Sequence, residues 1–237
     1  MRTVAVIPAR YASSRFPGKP LIDIRGKTML QMVYEEAAAC EGIDEVIIAT
    51  DDERIMAAAK ACGAHAVMTS EACRSGTDRV AEAVRDMDAD AVINIQGDQV
   101  IMDRQAITGM IQALASGCPM VTVAAPASPQ DATDPNTVKV VMAVNGDALY
   151  FSRCPIPFAR SSGHYAMLKH VGLYGFSRAT LFAFTNLAQT PLEMTESLEQ
   201  LRALENGIPI KVVLSEGNFF EINTPEDRER LIKQWPS

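Results

Sequence analysis

The chain has 237 residues, 48% of them hydrophobic and 22% charged, enough apolar material to bury a full core as one large domain or a domain plus a small lobe. A formal charge of −7 speaks against general nucleic-acid binding, which needs a basic surface. No apolar run approaches the roughly 20 residues that span a bilayer.

The opening MRTVAVIPAR does not have the shape of a signal peptide, and the five cysteines include no C-x-x-C pair. Reduced thiols and a cytoplasmic location are therefore expected, rather than a disulfide framework or a structural zinc. Charge is unevenly spread. Before position 28 stand Arg2, Arg10, Arg15, Lys19, Arg25 and Lys27 against the single acid Asp23, a local basic cluster suited to a small anionic ligand.

In chain order, Val/Ile-rich runs at Thr3–Pro8, Glu45–Thr50, Ala91–Ile95 and Met120–Ala124 predict buried strands. Helical patterns over Thr28–Cys40, Asp52–Cys62, Thr77–Asp86 and Asp103–Ala115 alternate with them. This alternation predicts βαβ units and an α/β, Rossmann-like, mainly parallel sheet flanked by helices. Ligands of such sheets bind at the carboxyl ends of the strands, which directs attention to Ala9–Pro20, Asp51–Glu53 and Gln96–Gln99.

From about residue 126 the pattern changes. Pro126, Pro129, Pro135, Pro155 and Pro157 interrupt short strands at Val138–Ala143 and Ala148–Phe151. A strand at His170–Phe176 leads into a helix over Arg178–Leu187, and Lys211–Leu214 reads as a return to the main sheet. A last helix is expected from Pro225, capped by Thr224. The whole is expected to be a single domain over 1–237 with a lobe inserted at about 126–190.

The loop after the first strand, Ala9-Arg10-Tyr11-Ala12-Ser13-Ser14-Arg15-Phe16-Pro17-Gly18-Lys19-Pro20, combines small residues, two arginines and a Gly-Lys pair. Small residues let backbone N–H groups approach phosphate oxygens, while Arg and Lys supply forked and point charges. It is neither a Walker A loop nor a G-x-G-x-x-G fingerprint. Asp98, at a strand end after Gly97, is a hard oxygen ligand suited to Mg²⁺ shared with substrate phosphates.

The segment IPARYASSRFPGKPLIDIRGKTML resembles the N-terminal signature of the 3-deoxy-manno-octulosonate (Kdo) cytidylyltransferases. SGTDRVAEA, VINIQGDQ, ALYFSRCPIPFAR, KHVGLYGF, PLEMTESLEQLRALENG and NTPEDRERL resemble further segments of that family in order, over nearly the whole chain. The resemblance implies a fold of the nucleotide-diphospho-sugar transferase type. It also implies a homodimer formed through the inserted lobe, and activation of an acidic keto-sugar by CTP, with release of pyrophosphate, for lipopolysaccharide or capsule synthesis.

It further implies that Arg10, Arg15 and Lys19 hold the triphosphate, with Lys19 stabilising the departing pyrophosphate. Ser75, Gly76 and Arg79 would lie near the cytidine and its ribose, and Gln96 would shape the pocket. Arg153, Arg160, His170, Tyr174, Glu199 and Gln200 would face the sugar. The metal would be held by Asp98 and by the residue at 223, where the family's Asp of D-T-P-E-D is Asn223. Gln99 likewise stands where the family's Q-G-D-E-P has an acid. These two departures leave alternatives open: the same chemistry on a variant sugar, such as an 8-amino-Kdo or a sialic-acid-like nonulosonate, or a binder weakened in its metal chemistry.

Overall fold

The computed structural model describes residues 1–12, 16–161 and 166–234. The chain divides into two compact units, Met1–Arg104 together with the segment from Asn218 onward, and Gln105–Gly217.

The first unit opens with β1 (Thr3–Ala9), of which Val4, Ala5, Val6 and Ile7 are wholly buried. After a 3₁₀ turn at Lys19–Leu21 come β2 (Asp23–Ile24), β3 (Lys27–Thr28), α1 (Met29–Ala38), β4 (Glu45–Thr50), α2 (Glu53–Ala61), β5 (His65–Met68), α3 (Gly76–Ala83), β6 (Ala91–Asn94) and β7 (Gln99–Ile101). Four strands run in the order β6-β1-β4-β5, every pair parallel. Their near-continuous apolar character follows from cover on both faces.

Each helix begins where a short polar side chain satisfies a free backbone N–H. Thr28 accepts from Gln31 N at 3.1 Å for α1, and Asp52 accepts from Arg54 N at 2.9 Å for α2. Ser75 and Asp78 form a reciprocal capping box for α3. Helix α1 buries Met29, Leu30, Val33 and Ala37, a spacing that lines one face of a 3.6-residue period.

The second unit begins with α4 (Arg104–Ala115) and continues through β8 (Met120–Pro126), α5 (Pro129–Thr133), β9 (Lys139–Met142), β10 (Ala148–Ser152), β11 (Leu168–Ser177), α6 (Arg178–Thr185), α7 (Pro191–Glu196), α8 (Gln200–Glu205) and β12 (Ile210–Leu214). Strands β10, β9, β11 and β8 form an antiparallel succession, and β12 lies parallel on β8. The chain then returns to the first unit with β13 (Phe220–Glu221), antiparallel to β7, and α9 (Pro225–Gln234).

The α/β architecture of parallel strands flanked by helices is as expected, and the long strands and helices fall where periodicity places them. The short elements escape it: β2, β3, β7 and β13 have two or three residues each, less than the window that periodicity needs. Strand β5 escapes for a different reason. Its apolar run, over 66–68, has only three residues, and they are half-buried or exposed rather than core.

One buried cation organises the second unit. Lys139 is fully buried, and its ammonium donates to the carbonyls of Asp134, Thr137 and Arg153 at 2.9, 2.6 and 2.5 Å. It therefore ties the α5–β9 connection to the end of β10. Lys139→Met is expected to leave these carbonyls without a donor and to destabilise the protein by about 3 kcal/mol, read from the midpoint of urea unfolding.

Candidate active site

In the first unit a cavity of about 430 Å³ opens at the carboxyl ends of β1 and β6, lined among others by Arg10, Lys19, Ser75, Gly76, Gln96 and Asp98. The chain must pass tightly here. Gly18 has φ +71°, in the left-handed region, and donates its N–H to Tyr11 O at 3.1 Å, which folds the loop back before the 3₁₀ turn that carries Lys19. Tyr11 is itself covered by the Arg54 guanidinium, 3.3 Å from the ring centroid. Gly97 lies so close to β1 that a Cβ there would stand 3.0 Å from Pro8 O, so any larger residue would crowd the turn that presents Asp98.

Three distant segments meet at one ammonium. Lys19 Nζ donates to Asp98 Oδ2 at 2.7 Å and to Asn223 Oδ1 at 3.2 Å. The Lys19 and Asp98 side chains are 13% and 26% exposed, so the pair is shielded but reachable from solvent. Asn223 is fixed by its own backbone. Its N–H and that of Thr224 both donate to Asp227 Oδ2 at 2.9 Å, while Asp227 N donates to Thr224 Oγ1 at 3.3 Å, which caps α9. Ile222 N–H donates to Asp98 O at 3.1 Å, holding this segment against the β6–β7 turn.

The remaining nucleotide-site residues fall into two groups. Arg10 reaches the cavity and donates to Cys73 O, and Ser75 and Gly76 bring the first turn of α3 to its wall. Arg74, which the sequence does not single out, also lines it; its one signal is its place directly before Ser-Gly-Thr. Arg79 differs in kind. It is 0% exposed, and its guanidinium donates to Asp51 Oδ2 and Thr69 Oγ1. It therefore braces the wall by joining α3 to the ends of β4 and β5 rather than offering a free charge. Arg15 lies outside the described residues.

The second unit gathers a different chemistry. His170 Nε2 is 2.8 Å from Thr122 Oγ1, whose own hydroxyl donates to Leu173 O at 2.7 Å. Thr122 has one proton to give, so Nε2–H of His170 must be the donor, which leaves Nδ1 as an acceptor. The ring stands edge-on to Phe151, 5.1 Å between centroids, and 5.3 Å from the Tyr174 ring. Desolvation there pushes the imidazole pKa down to about 3.

Tyr174 donates its hydroxyl to Gln200 Oε1 at 2.9 Å, and desolvation, with the charge of Glu199 behind it, pushes the phenol up. Gln200 is 2% exposed, and its Nε2 has no partner among the described residues. His170, Tyr174 and Gln200 are thus brought together as neutral donors and acceptors. Arg153 is tethered instead, donating to the carbonyls of Glu196 at 2.8 Å, Pro135 at 3.0 Å and Ser197 at 3.4 Å. Arg160 is exposed.

Metal binding can be tested against these donors. Among the described residues no group of three or more His, Cys, Asp or Glu could hold an ion by itself. What the first unit offers is two oxygens, Asp98 Oδ2 and Asn223 Oδ1, already converging on one cation. A hard ion such as Mg²⁺, which takes one or two protein oxygens and completes its shell with phosphates and water, fits that donor set.

The cytidylyltransferase family model matches residues 4–212. The chain is 48% identical to the 3-deoxy-manno-octulosonate cytidylyltransferase of Syntrophobacter fumaroxidans, over 98% of its own length and 96% of that protein. It is 49% identical to the protein of the same name from Synechococcus elongatus, over 100% and 99% of the two chains. Among solved structures, CMP:2-keto-3-deoxy-manno-octonic acid synthetase complexed with CTP matches with TM-score 0.94 and 41% identity over 98% of each chain. A cytidylyltransferase from Leptospira borgpetersenii shares the fold, with TM-score 0.67 at 17% identity over 100% of this chain and 89% of that one.

The neutral His170 has a consequence for stability. Its folded pKa of about 3 lies below the ordinary 6.5, so the unfolded chain binds the extra proton between those values and stability falls as pH falls through that window. The urea midpoint is expected to drop from pH 7 to pH 4.5, and His170→Gln is expected to flatten that slope. An unchanged slope would show that His170 is charged in the folded protein.

Proposed function

Since the chain belongs to the cytidylyltransferase family, we propose that it activates 3-deoxy-manno-octulosonate with CTP, giving the CMP-sugar and pyrophosphate. The observation that carries this reading is the cavity at the β1 and β6 ends, where Lys19, Arg10 and the first turn of α3 surround one carboxylate, Asp98. Cations and a helix N-terminus accept a triphosphate, and a lone carboxylate among them has a reason to be there if a metal accompanies the nucleotide.

In this reaction the anomeric hydroxyl of the sugar attacks the α-phosphorus, the bond to the β-phosphate breaks, and the hydroxyl proton leaves to solvent. Arg10 and Lys19 orient the phosphates and stabilise the charge that develops on the departing pyrophosphate; Arg15 is proposed to share that work. Ser75 and Gly76 hold the nucleotide at the start of α3, on a wall braced by Arg79. Asp98 and Asn223 would hold Mg²⁺, which when bound neutralises phosphate charge and acidifies the attacking hydroxyl.

For the polyhydroxylated sugar, His170 Nδ1, the Tyr174 hydroxyl and Gln200 Nε2 supply neutral hydrogen-bonding groups, with Glu199 beside them. Arg160, which is exposed, is proposed to meet the sugar carboxylate, because Arg153 is engaged with three carbonyls. We further propose a cytoplasmic homodimer. Five free thiols and the need for CTP support the compartment, and exposed Leu149, Leu192 and Met194 in the second unit support the association.

The direct test is pyrophosphate release from CTP, Mg²⁺ and Kdo, with ATP and GTP as controls. Turnover with CTP is expected, and equal use of ATP would overturn the reading. Lys19→Ala is expected to lower kcat/KM by roughly 10²-fold or more with an unchanged circular dichroism spectrum, the scale of losing one preorganised charge donor.

A further inference from the structure

Asn223 holds its amide between two groups of opposite demand. On one side its Oδ1 accepts from Lys19 Nζ at 3.2 Å, and on the other its Nδ2 donates to Glu221 Oε2 at 3.3 Å. A cation and a carboxylate each fix the same orientation of the amide, oxygen toward Lys19 and Asp98, nitrogen toward Glu221. An aspartate at 223 would keep the first contact and lose the second, since its other oxygen would face a carboxylate.

The opposite neighbour of Glu221 is also an amide. In the β7–β13 ladder Glu221 is the cross-strand partner of Gln99. The Gln99 side chain is 0% exposed and donates its Nε2 to Ile101 O at 2.9 Å. An acid at 99 would bury a carboxylate where Gln99 Nε2 now donates to Ile101 O, on the strand paired with Glu221 across a bulged ladder, and burying it costs stability. The two positions at which the sequence lacks an expected acid are therefore the two that flank Glu221.

We propose that Glu221 is a positioning residue for the metal, the carboxylate that aims the Asn223 oxygen at the cation position and supplies from behind it the negative charge that Asn223 lacks. Gln99 and Asn223 are neutral because Glu221 is not. The role rests on the reading of Asp98 and Asn223 as metal-holding residues. Asp98 and Asn223 would hold the ion, and Glu221 would act through Asn223.

The test is a double-mutant cycle on the full chain: wild type, Glu221→Gln, Asn223→Asp and the double variant. Binding of Mn²⁺ at saturating CTP without sugar is read from the free-ion signal in electron paramagnetic resonance, and Tm is read without metal. Glu221→Gln is expected to weaken Mn²⁺ binding about tenfold, the usual scale for removing a residue that orients a ligand. Asn223→Asp is expected to gain nothing while Glu221 is present, and to tighten Mn²⁺ by about tenfold in the Glu221→Gln background, a coupling typical of residues in contact. Metal-free Tm is expected to follow the same pattern, with Asn223→Asp better tolerated once residue 221 is neutral.

Additive effects in both measurements would overturn the proposal. Coupling in Tm with none in Mn²⁺ affinity would reduce Glu221 to a structural partner and overturn it too. Wild-type protein that takes up no Mn²⁺ beyond what CTP itself holds would sink the metal reading instead, whatever the cycle gives.

Discussion

The Lys19 ammonium is the point on which the first unit's cleft depends. It joins the loop after β1, the turn after β6 and the segment before α9, elements that lie 79 and 204 residues away in sequence. Each arm is set by local chain geometry. Gly18 turns the chain into the Lys19 turn, Gly97 packs closely on Pro8 O just before Asp98, and the Asp227 carboxylate fixes the Asn223 backbone. A partly shielded ion pair at 2.7 Å, with Asn223 Oδ1 as a second acceptor for the ammonium, differs from a surface pair between mobile side chains. The cleft is thus organised before substrate arrives, which is what electrostatic catalysis requires.

The two units differ in the charge of the groups they offer to a ligand. In the first, cations dominate but few are loose: Arg79 is engaged with Asp51 and Thr69, Arg10 with Cys73 O, and Lys19 with Asp98. Each has at least one protein partner, so a triphosphate bound there would meet donors whose geometry is settled. In the second, His170 and Tyr174 are both held neutral by burial, and Gln200 presents an amide. Neutral donors and acceptors of this kind suit hydroxyl groups, which carry no charge to reward a cation and would pay heavily to bury one.

Much of the fold was legible because the strands that form it are long and apolar. Thr3–Pro8 and Glu45–Thr50 could hardly be anything but buried strands, and the helical pattern over Thr77–Asp86 lies within a turn of α3 at both ends. The β7–β13 ladder was not legible. Two- and three-residue strands carry no period, and their pairing joins residues 99 and 221 across the entire second unit. At the site, Lys19 and Asp98 could be read from their Gly-Lys and Gly-Asp settings, where glycine permits the close approach that such chemistry needs. Arg79 could not be placed. The resemblance set it near the cytidine and its ribose, and only the fold reveals Asp51, 28 residues away, behind it.

Gln99 and Asn223 show why letters taken one at a time mislead about charge. Each reads alone as a lost acid, and two lost acids in a metal site read as a weakened enzyme. The fold places Glu221 across the ladder from one and 3.3 Å from the other. Three carboxylates so close together would repel one another in a half-buried cleft, and the one at 223 would have to share Lys19 with Asp98. One carboxylate flanked by two amides avoids that repulsion, keeps a negative charge behind the cation position, and leaves Asn223 a single stable orientation. The electrostatic quantity that the site must conserve is the field at the cation, and that field depends on where carboxylates stand in space rather than on which positions of a motif carry them.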